Sequence, residues 1–173
     1  MPEKFLFDAN IFVQSKNREY RFEFAAAYWE WIEAAHKQGV VFSTKKVFAE
    51  LQRGPTTCPL RKWANGLPKG FFLDDDKNKG AMKRYAEVMA WAYAQPQYTQ
   101  KAVADFADRN NADAFLIAVA KHTGMTIVTH EAAAQDSKVR IPIPNAAGAM
   151  GVKTVLLFDV LSAHATSTFN FKR

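Results

Sequence analysis

A helix and a strand follow one another in the stretch ADAFLIAVAKHTGMTIVTHE, which runs from Ala112 to Glu131. Apolar side chains repeat at helical spacing through its first half, and Gly124 is placed to end that helix. The segment Met125–Thr129 that follows is short, apolar and partly β-branched, which is typical of a buried strand. A helix that leads directly into a buried strand indicates a parallel α/β protein.

The same alternation extends toward both ends of the chain. We predict further strands at Phe5–Phe7, Val40–Phe42 and Val152–Phe158, and further helices at 22–36, 44–53, 79–94 and 98–108. Residues 54–70 contain Pro55, Pro59 and Pro68 and predict a loop-rich connection. Strands separated by helices favour a central parallel sheet with helices on both faces. Without repeats or flexible linkers, residues 1–173 are expected to form a single α/β/α domain.

Composition limits the class of protein. The chain has 173 residues, 49% of them hydrophobic, and Cys58 is its single cysteine, so an internal disulfide is excluded. The net charge of +6 modestly favours polyanionic partners such as nucleic acid. No apolar run approaches the roughly 18 residues that a membrane span needs. We therefore expect a soluble, cytoplasmic protein with no membrane partner.

Two acidic residues follow predicted strands at the point where each strand ends. Asp8 comes directly after Phe5–Phe7, and Glu131 lies two residues beyond Met125–Thr129. Ligands of open parallel sheets collect at the carboxyl ends of the strands. Asp8 and Glu131 are therefore expected at one edge of the sheet.

Two further acids are predicted to face the same edge. Glu50 lies in the second turn of its helix, on the face that leans toward the sheet, and Asp113 lies in the first turn of its helix. Each acid also has an ordinary explanation when taken alone. Glu50 could pair with Lys46, Asp113 could favour the helix dipole, Asp8 could cap a turn, and Glu131 could be a surface acid. These explanations do not account for all four acids at one predicted edge.

Four carboxylates in a small volume repel one another, and a divalent cation removes that repulsion. Oxygen ligands are those that Mg²⁺ and Mn²⁺ prefer. Such an ion beside a phosphodiester polarises the phosphoryl oxygen and lowers the pKa of a bound water. The sequence leaves open whether one or two ions bind.

At these residues the chain resembles the PIN-domain nucleases. The order of the motifs carries the resemblance: an Asp-x-Asn after a strand, a mid-helix Glu, an acidic helix start and an acid after a later strand. The matching segments are FLFDANIFV (Phe5–Val13), FSTKKVFAEL (Phe42–Leu51), ADAFLIAVAKHTG (Ala112–Gly124) and TIVTHE (Thr126–Glu131).

The resemblance implies a Rossmann-like, three-layer α/β/α fold with a parallel sheet of four to five strands. It also implies Mg²⁺- or Mn²⁺-dependent cleavage of RNA, and often a toxin role opposite an antitoxin, as in VapC-like proteins. By position, Asp8, Glu50 and Asp113 would be the core metal ligands, supported by Asn10 and Thr129 through hydrogen bonds.

The chain departs from the family pattern in two places. The last acidic position, usually Asp, is Glu131 here, so its contact with a metal could be indirect. The helices and proline-bearing loop at 54–108 and the segment at 141–148 differ from compact toxins and indicate a less characterised PIN-like branch. The catalytic and metal-binding set is thus predicted as Asp8, Glu50, Asp113 and Glu131.

Basic and aromatic residues suggest partners. Lys45, Lys46 and Arg53 flank Glu50 and could hold RNA phosphates, although an ordinary solvated surface is the alternative for each. The helix at 22–36 has a second aromatic stripe, which indicates either core packing or a homodimer or antitoxin surface. The preferred function is a metal-dependent endoribonuclease. The alternatives are a catalytically incomplete PIN-like module that binds RNA and a protein-interaction subunit.

Overall fold

The computed structural model of the chain describes residues 3–166. Five strands form its sheet: β1 (Phe5–Phe7), β2 (Val41–Thr44), β3 (Phe72–Leu73), β4 (Thr126–Val128) and β5 (Thr154–Val155). The helices before the third strand are α1 (Ala9–Asn17), α2 (Ala26–Lys37), α3 (Lys45–Leu51) and α4 (Pro59–Gly66). Those after it are α5 (Lys79–Ala94), α6 (Gln100–Ala107), α7 (Asp113–Thr123), α8 (Ile143–Ala149) and α9 (Leu157–His164).

Strand β1 lies at the centre of a sheet with the order β3-β2-β1-β4-β5, in which every neighbouring pair is parallel. Phe5 is in register with Val41 on one side and Thr126 on the other. All residues of β1 and β4 are buried, as expected for the central strands of a sheet covered on both faces. The prediction of a parallel α/β/α fold with four to five strands is confirmed.

Helix α7 is buried along most of its length. The seven consecutive residues from Ala114 to Ala120 are all buried, because the helix packs on β4 and β2 and is covered by α5. A helix that is apolar all round needs such a position between two layers. This packing holds the first residue of α7, Asp113, against the edge of the sheet.

Several sequence predictions of local structure were wrong. The segment 54–70 is not only a loop, because it contains α4. The first residue of α4 is Pro59, and proline is tolerated there because the backbone N–H of a first helical residue has no partner within the helix. The predicted strand Val152–Phe158 is reduced to β5, since Leu157 already begins α9. The short elements α1, β3 and α8 were not predicted. Within residues 3–166, none of the helices is long and apolar enough to cross a lipid bilayer.

Gly124 joins α7 to β4 in a left-handed backbone conformation, with φ of 74°. A side chain is strained in this conformation, so we expect Gly124→Ala to lower the free energy of unfolding by about 1 kcal/mol. Gly148 is the control, because it lies in α8 without a positive φ and a Cβ there would meet no atom within 4 Å. Gly148→Ala should be neutral or slightly stabilising. Urea denaturation measures both, and equal effects of the two substitutions would contradict this account of the turn.

Candidate active site at the carboxyl end of the sheet

The candidate site lies where the strand order reverses. From β1 the chain crosses to β2 and β3 on one side, and it later returns to β4 and β5 on the other. The carboxyl ends of the adjacent strands β1 and β4 therefore open onto a crevice, the usual binding place in such sheets. Asp8 follows β1 directly, and Thr129 follows β4 directly.

The Thr129 hydroxyl connects these two strand ends. It donates to Oδ2 of Asp8 at 3.0 Å, and it accepts from Nδ2 of Asn10 at 3.0 Å and from the backbone N–H of Glu131 at 3.2 Å. Asn10 in turn accepts from the backbone N–H of His130 through its Oδ1. All hydrogen-bonding capacity of the hydroxyl is therefore used to hold Asp8 and the chain after β4 in fixed positions.

Glu50 reaches from α3 to the start of α7. Its Oε1 accepts from the backbone N–H of Ala112 at 3.0 Å. The alternative pairing with Lys46 does not occur, because the Lys46 ammonium binds Asp76 at 3.6 Å and the Arg109 carbonyl at 2.8 Å. Glu50 thus fixes the residue that precedes Asp113.

Asp113 begins α7, as its spacing predicted. The backbone N–H of Asp113 donates to Oδ1 of Asn111 at 2.9 Å, so the Asn111 side chain satisfies one of the free N–H groups at the helix start. The Asp113 side chain lies among the acidic groups of the site, and its protonation is sensitive to the charges of Glu131 and Glu50.

Burial and mutual repulsion raise the pKa values of these carboxyls. Burial raises the pKa of Asp8 to about 8, and the charges of Asp113 and Glu131 add to the effect against the Thr129 hydrogen bond. Burial likewise raises the pKa of Asp113 to about 7, with added repulsion from Glu131 and Glu50. Burial also raises the pKa of Glu50. Four acids far apart in sequence therefore influence one another at this edge.

Both carboxylate oxygens of Glu131 have partners. Oε1 accepts from Nη2 of Arg140, and Oε2 accepts from the backbone N–H of Ile143 at 2.8 Å. The Glu131 side chain is 12% exposed, whereas the Arg140 side chain is 61% exposed. Sequence reasoning missed Arg140, because no periodicity or motif places a loop residue nine positions away against a particular acid.

An open cavity of about 640 Å³ adjoins two of the four acids, Glu50 and Asp113. Its lining is polar and mainly acidic, and consists of Glu50, Arg53, Asp105, Asp108, Asn110, Asn111 and Asp113. Asp105 of α6 and Asp108, which follows that helix, are part of this lining. The cavity is large enough to admit a phosphate group and its bound water.

The three basic residues predicted to bind substrate have different surroundings. Arg53 lines the cavity and donates to the Asn110 carbonyl at 2.6 Å. Lys45 forms an ion pair with Asp74 at 2.5 Å. The Lys46 ammonium has two polar partners and also lies over the ring of Phe115, 4.6 Å from the ring centroid. Arg53 is therefore the basic residue placed at the cavity, while Lys46 ties three segments of the fold together.

The carboxylates do not form a closed metal cage as they stand. Within residues 3–166, no three His, Cys, Asp or Glu side chains are arranged so that they could hold an ion together. Glu50 and Glu131 are turned toward the partners described above. The donor set nevertheless suits Mg²⁺ or Mn²⁺, because Mg²⁺ usually binds through one or two carboxylates and keeps several waters. The buried Asp8 and the half-buried Asp113, whose charges repel each other, are the two carboxylates that could bind an ion in this way.

The aromatic stripe of α2 contributes mainly to packing. Tyr28 is buried and accepts a hydrogen bond from Ser15 at 2.9 Å, and Trp31 donates to the His164 carbonyl at 3.0 Å. Phe24 precedes the helix and is 61% exposed. The homodimer and antitoxin surface predicted for this region stays a prediction.

Comparisons with known proteins agree with this architecture. A family model described as a domain of unknown function, DUF4411, matches residues 5–168. No curated protein matches the chain in sequence. The fold is similar to the crystal structure of FitAcB from Neisseria gonorrhoeae, with a TM-score of 0.50. That match covers 87% of this chain and 95% of the other at 18% identity, so it supports a PIN-like fold and nothing finer.

The raised pKa values of Asp8 and Asp113 predict how stability changes with pH when metal is removed. The ordinary pKa of an Asp side chain is 3.8, so the folded chain binds protons more tightly than the unfolded chain between about pH 4 and pH 8. The free energy of unfolding should fall as the pH rises through this window.

Thermal unfolding in EDTA from pH 5 to pH 8.5 measures this slope. Asp8→Asn removes one titrating group and keeps an acceptor for Thr129. The free energy of unfolding of this variant should therefore fall less steeply with pH than that of the wild type. At pH 8.5 the variant should be more stable than the wild type by at least about 1 kcal/mol. Equal slopes for the two proteins would show that Asp8 ionises normally.

The Thr129 network predicts a second stability effect. Thr129→Val has nearly the same shape but loses the hydroxyl, which leaves Asp8, Asn10 and the Glu131 N–H each short of a partner. We expect the free energy of unfolding to fall by about 2 kcal/mol. Thr129→Ser keeps the hydroxyl and is the matched control in urea denaturation. If Thr129→Val and Thr129→Ser lower the free energy of unfolding equally, the hydroxyl does not hold the site together.

Proposed function

The chain belongs to the DUF4411 family, a domain of unknown function, and from the geometry of its site we propose that it is a metal-dependent endoribonuclease. The observation that carries the proposal is a pair of carboxyls at the strand-order reversal, the buried Asp8 and the half-buried Asp113, each of which has a raised pKa and repels the other. Burying such a pair without a bound cation opposes folding, and a divalent ion would remove the opposition. The resemblance to PIN-domain nucleases supports RNA as the substrate.

The residues around this pair have separate roles in the proposal. Asp8 and Asp113 would hold Mg²⁺ or Mn²⁺, with Glu50 and Glu131 adding negative charge. When bound, the ion supplies Lewis acidity that polarises a phosphoryl oxygen and lowers the pKa of nearby water. Thr129 and Asn10 orient the Asp8 carboxylate, and Glu50 orients Asp113 through the Ala112 N–H.

The cavity lined by Asp113 and Glu50 is the proposed place for the scissile phosphate. Arg53 lies on its wall, next to Glu50, and would offset the repulsion between the acidic lining and the RNA backbone. Lys45 and Lys46 remain candidates for more distant phosphates, although each already has an acidic partner.

Cleavage of a labelled single-stranded RNA by the purified full chain tests this function. We expect activity with Mn²⁺ or Mg²⁺ and none with EDTA. Asp8→Asn and Asp113→Asn should each lower the rate by at least about 100-fold, because each removes a metal ligand. Glu30→Gln, an exposed acid-to-amide change on α2, is the matched control and should leave the rate unchanged.

Two observations favour a second candidate function. The described acids are not arranged as a closed metal cage, and Glu131 is bound to Arg140, as in a site that has lost catalysis. RNA binding that is independent of metal and without cleavage would support a catalytically incomplete RNA-binding module. The absence of both binding and cleavage would favour a protein-interaction subunit.

A more specific form of the proposal is that the chain is a VapC-like toxin. It predicts that expression of the chain alone arrests growth, that Asp8→Asn relieves the arrest, and that a short reading frame beside its gene encodes an antitoxin. Cleavage without growth arrest would leave a cellular ribonuclease that is not a toxin.

A further inference from the structure

Arg140 lies in a loop that is fixed to the rest of the molecule at several points. The Ser137 hydroxyl donates to the Arg140 carbonyl at 2.6 Å. The Asn145 side chain both accepts from the Ala134 N–H at 2.9 Å and donates to the Ala134 carbonyl at 2.8 Å. These contacts hold the loop in place, so that its arginine is presented to Glu131.

The guanidinium of Arg140 brings a positive charge to the acidic site. It contacts Oε1 of Glu131, and its charge lowers the pKa of Asp113 in opposition to burial and to the neighbouring acids. A cation placed among repelling carboxylates has the electrostatic effect that a metal ion would have. The other oxygen of Glu131 is held by the Ile143 N–H, so Glu131 would stay beside the site if Arg140 withdrew.

We propose that Arg140 is a built-in counter-ion of the carboxylate site, which offsets the negative charge of Glu131 in the metal-free protein and so opposes the binding of a divalent cation that this charge would attract. This inference rests on the metal site of the proposed function. Arg140 is a positioning residue in this scheme, since it acts through Glu131 and not on the substrate. Its side chain is largely exposed, so it can leave Glu131 without the loss of a buried contact.

This opposition has a physical consequence for metal affinity. Removing the arginine charge leaves Glu131 unneutralised beside Asp113, which strengthens the attraction for a cation and weakens the metal-free fold. We expect Arg140→Gln to bind Mn²⁺ about three- to tenfold more tightly than the wild type, because the lost interaction is partly screened by solvent. Arg140→Lys keeps the charge and should bind within about twofold of the wild type.

Calorimetric titration of the full chain with Mn²⁺ measures these affinities without reference to activity. Lys138→Gln is the matched control, because it makes the same change in net charge at an exposed residue of the same loop. It should leave the Mn²⁺ affinity within about twofold of the wild type, since a general charge effect on the surface is screened. A rise in affinity in Arg140→Gln alone supports the counter-ion.

Thermal unfolding gives a second readout. Arg140→Gln should unfold at a lower temperature than the wild type in EDTA. Saturating Mn²⁺ should raise its unfolding temperature by more than it raises that of the wild type. If Arg140→Gln and the wild type bind Mn²⁺ equally, the counter-ion proposal is overturned, while RNA cleavage can still stand. If Arg140→Gln binds more weakly, Arg140 assists the metal and the proposed opposition is wrong. If no variant binds Mn²⁺, the metal site itself fails, and both proposals fail with it.

Discussion

Burial of the Asp8 carboxyl at the end of β1, made more unfavourable by the charges of Asp113 and Glu131, is the constraint on which the site depends. Asp8 is 3% exposed and follows a strand with no exposed residue, so it cannot turn to bulk water. The Thr129 hydroxyl supplies one compensating hydrogen bond, but the nearby acids work against ionisation. A protein gains no stability from such an arrangement unless a proton or a cation is bound there. The arrangement therefore points to function and not to folding.

The surrounding fold keeps these acids together. Strands β1 and β4 are paired in the sheet, α7 packs between the sheet and α5, and Glu50 ties α3 to the start of α7. The four acids come from separate segments. Asp8 is held by the Thr129 hydroxyl, Glu50 by the Ala112 N–H, and Glu131 by the Ile143 N–H and by Arg140. These supports fix the positions of repelling groups, which is the requirement for a preorganised site.

Much of the fold could be predicted from the sequence because its longest elements are strongly periodic. The helices later found as α5 and α7, and the strands β1 and β4, lie close to their predicted ranges. Short elements could not be predicted in this way. Strand β3 has only two residues and is defined by its pairing with β2. Helix α4 was missed because the prolines of its segment were taken to indicate a loop, although proline is also common at helix starts.

The carboxylate edge could be predicted for a similar reason, since parallel strands bring their carboxyl ends to one side. What each acid contacts could not be predicted. The hydrogen bond from the Ala112 N–H to Glu50 joins residues 62 positions apart in the sequence. The Lys46 ammonium binds Asp76 in a loop rather than Glu50 on its own helix. Arg140 depends on the path of a loop, which no hydrophobic pattern specifies. The roles of the four acids as metal ligands remain predictions.

A crystal of the protein soaked in Mn²⁺, measured at a wavelength where manganese scatters anomalously, tests the central claim most directly. The account predicts one or two strong anomalous peaks within coordination distance, about 2.2 Å, of carboxylate oxygens of Asp8 and Asp113. A saturated soak with no peak at these two residues, or with peaks only elsewhere on the surface, would contradict it.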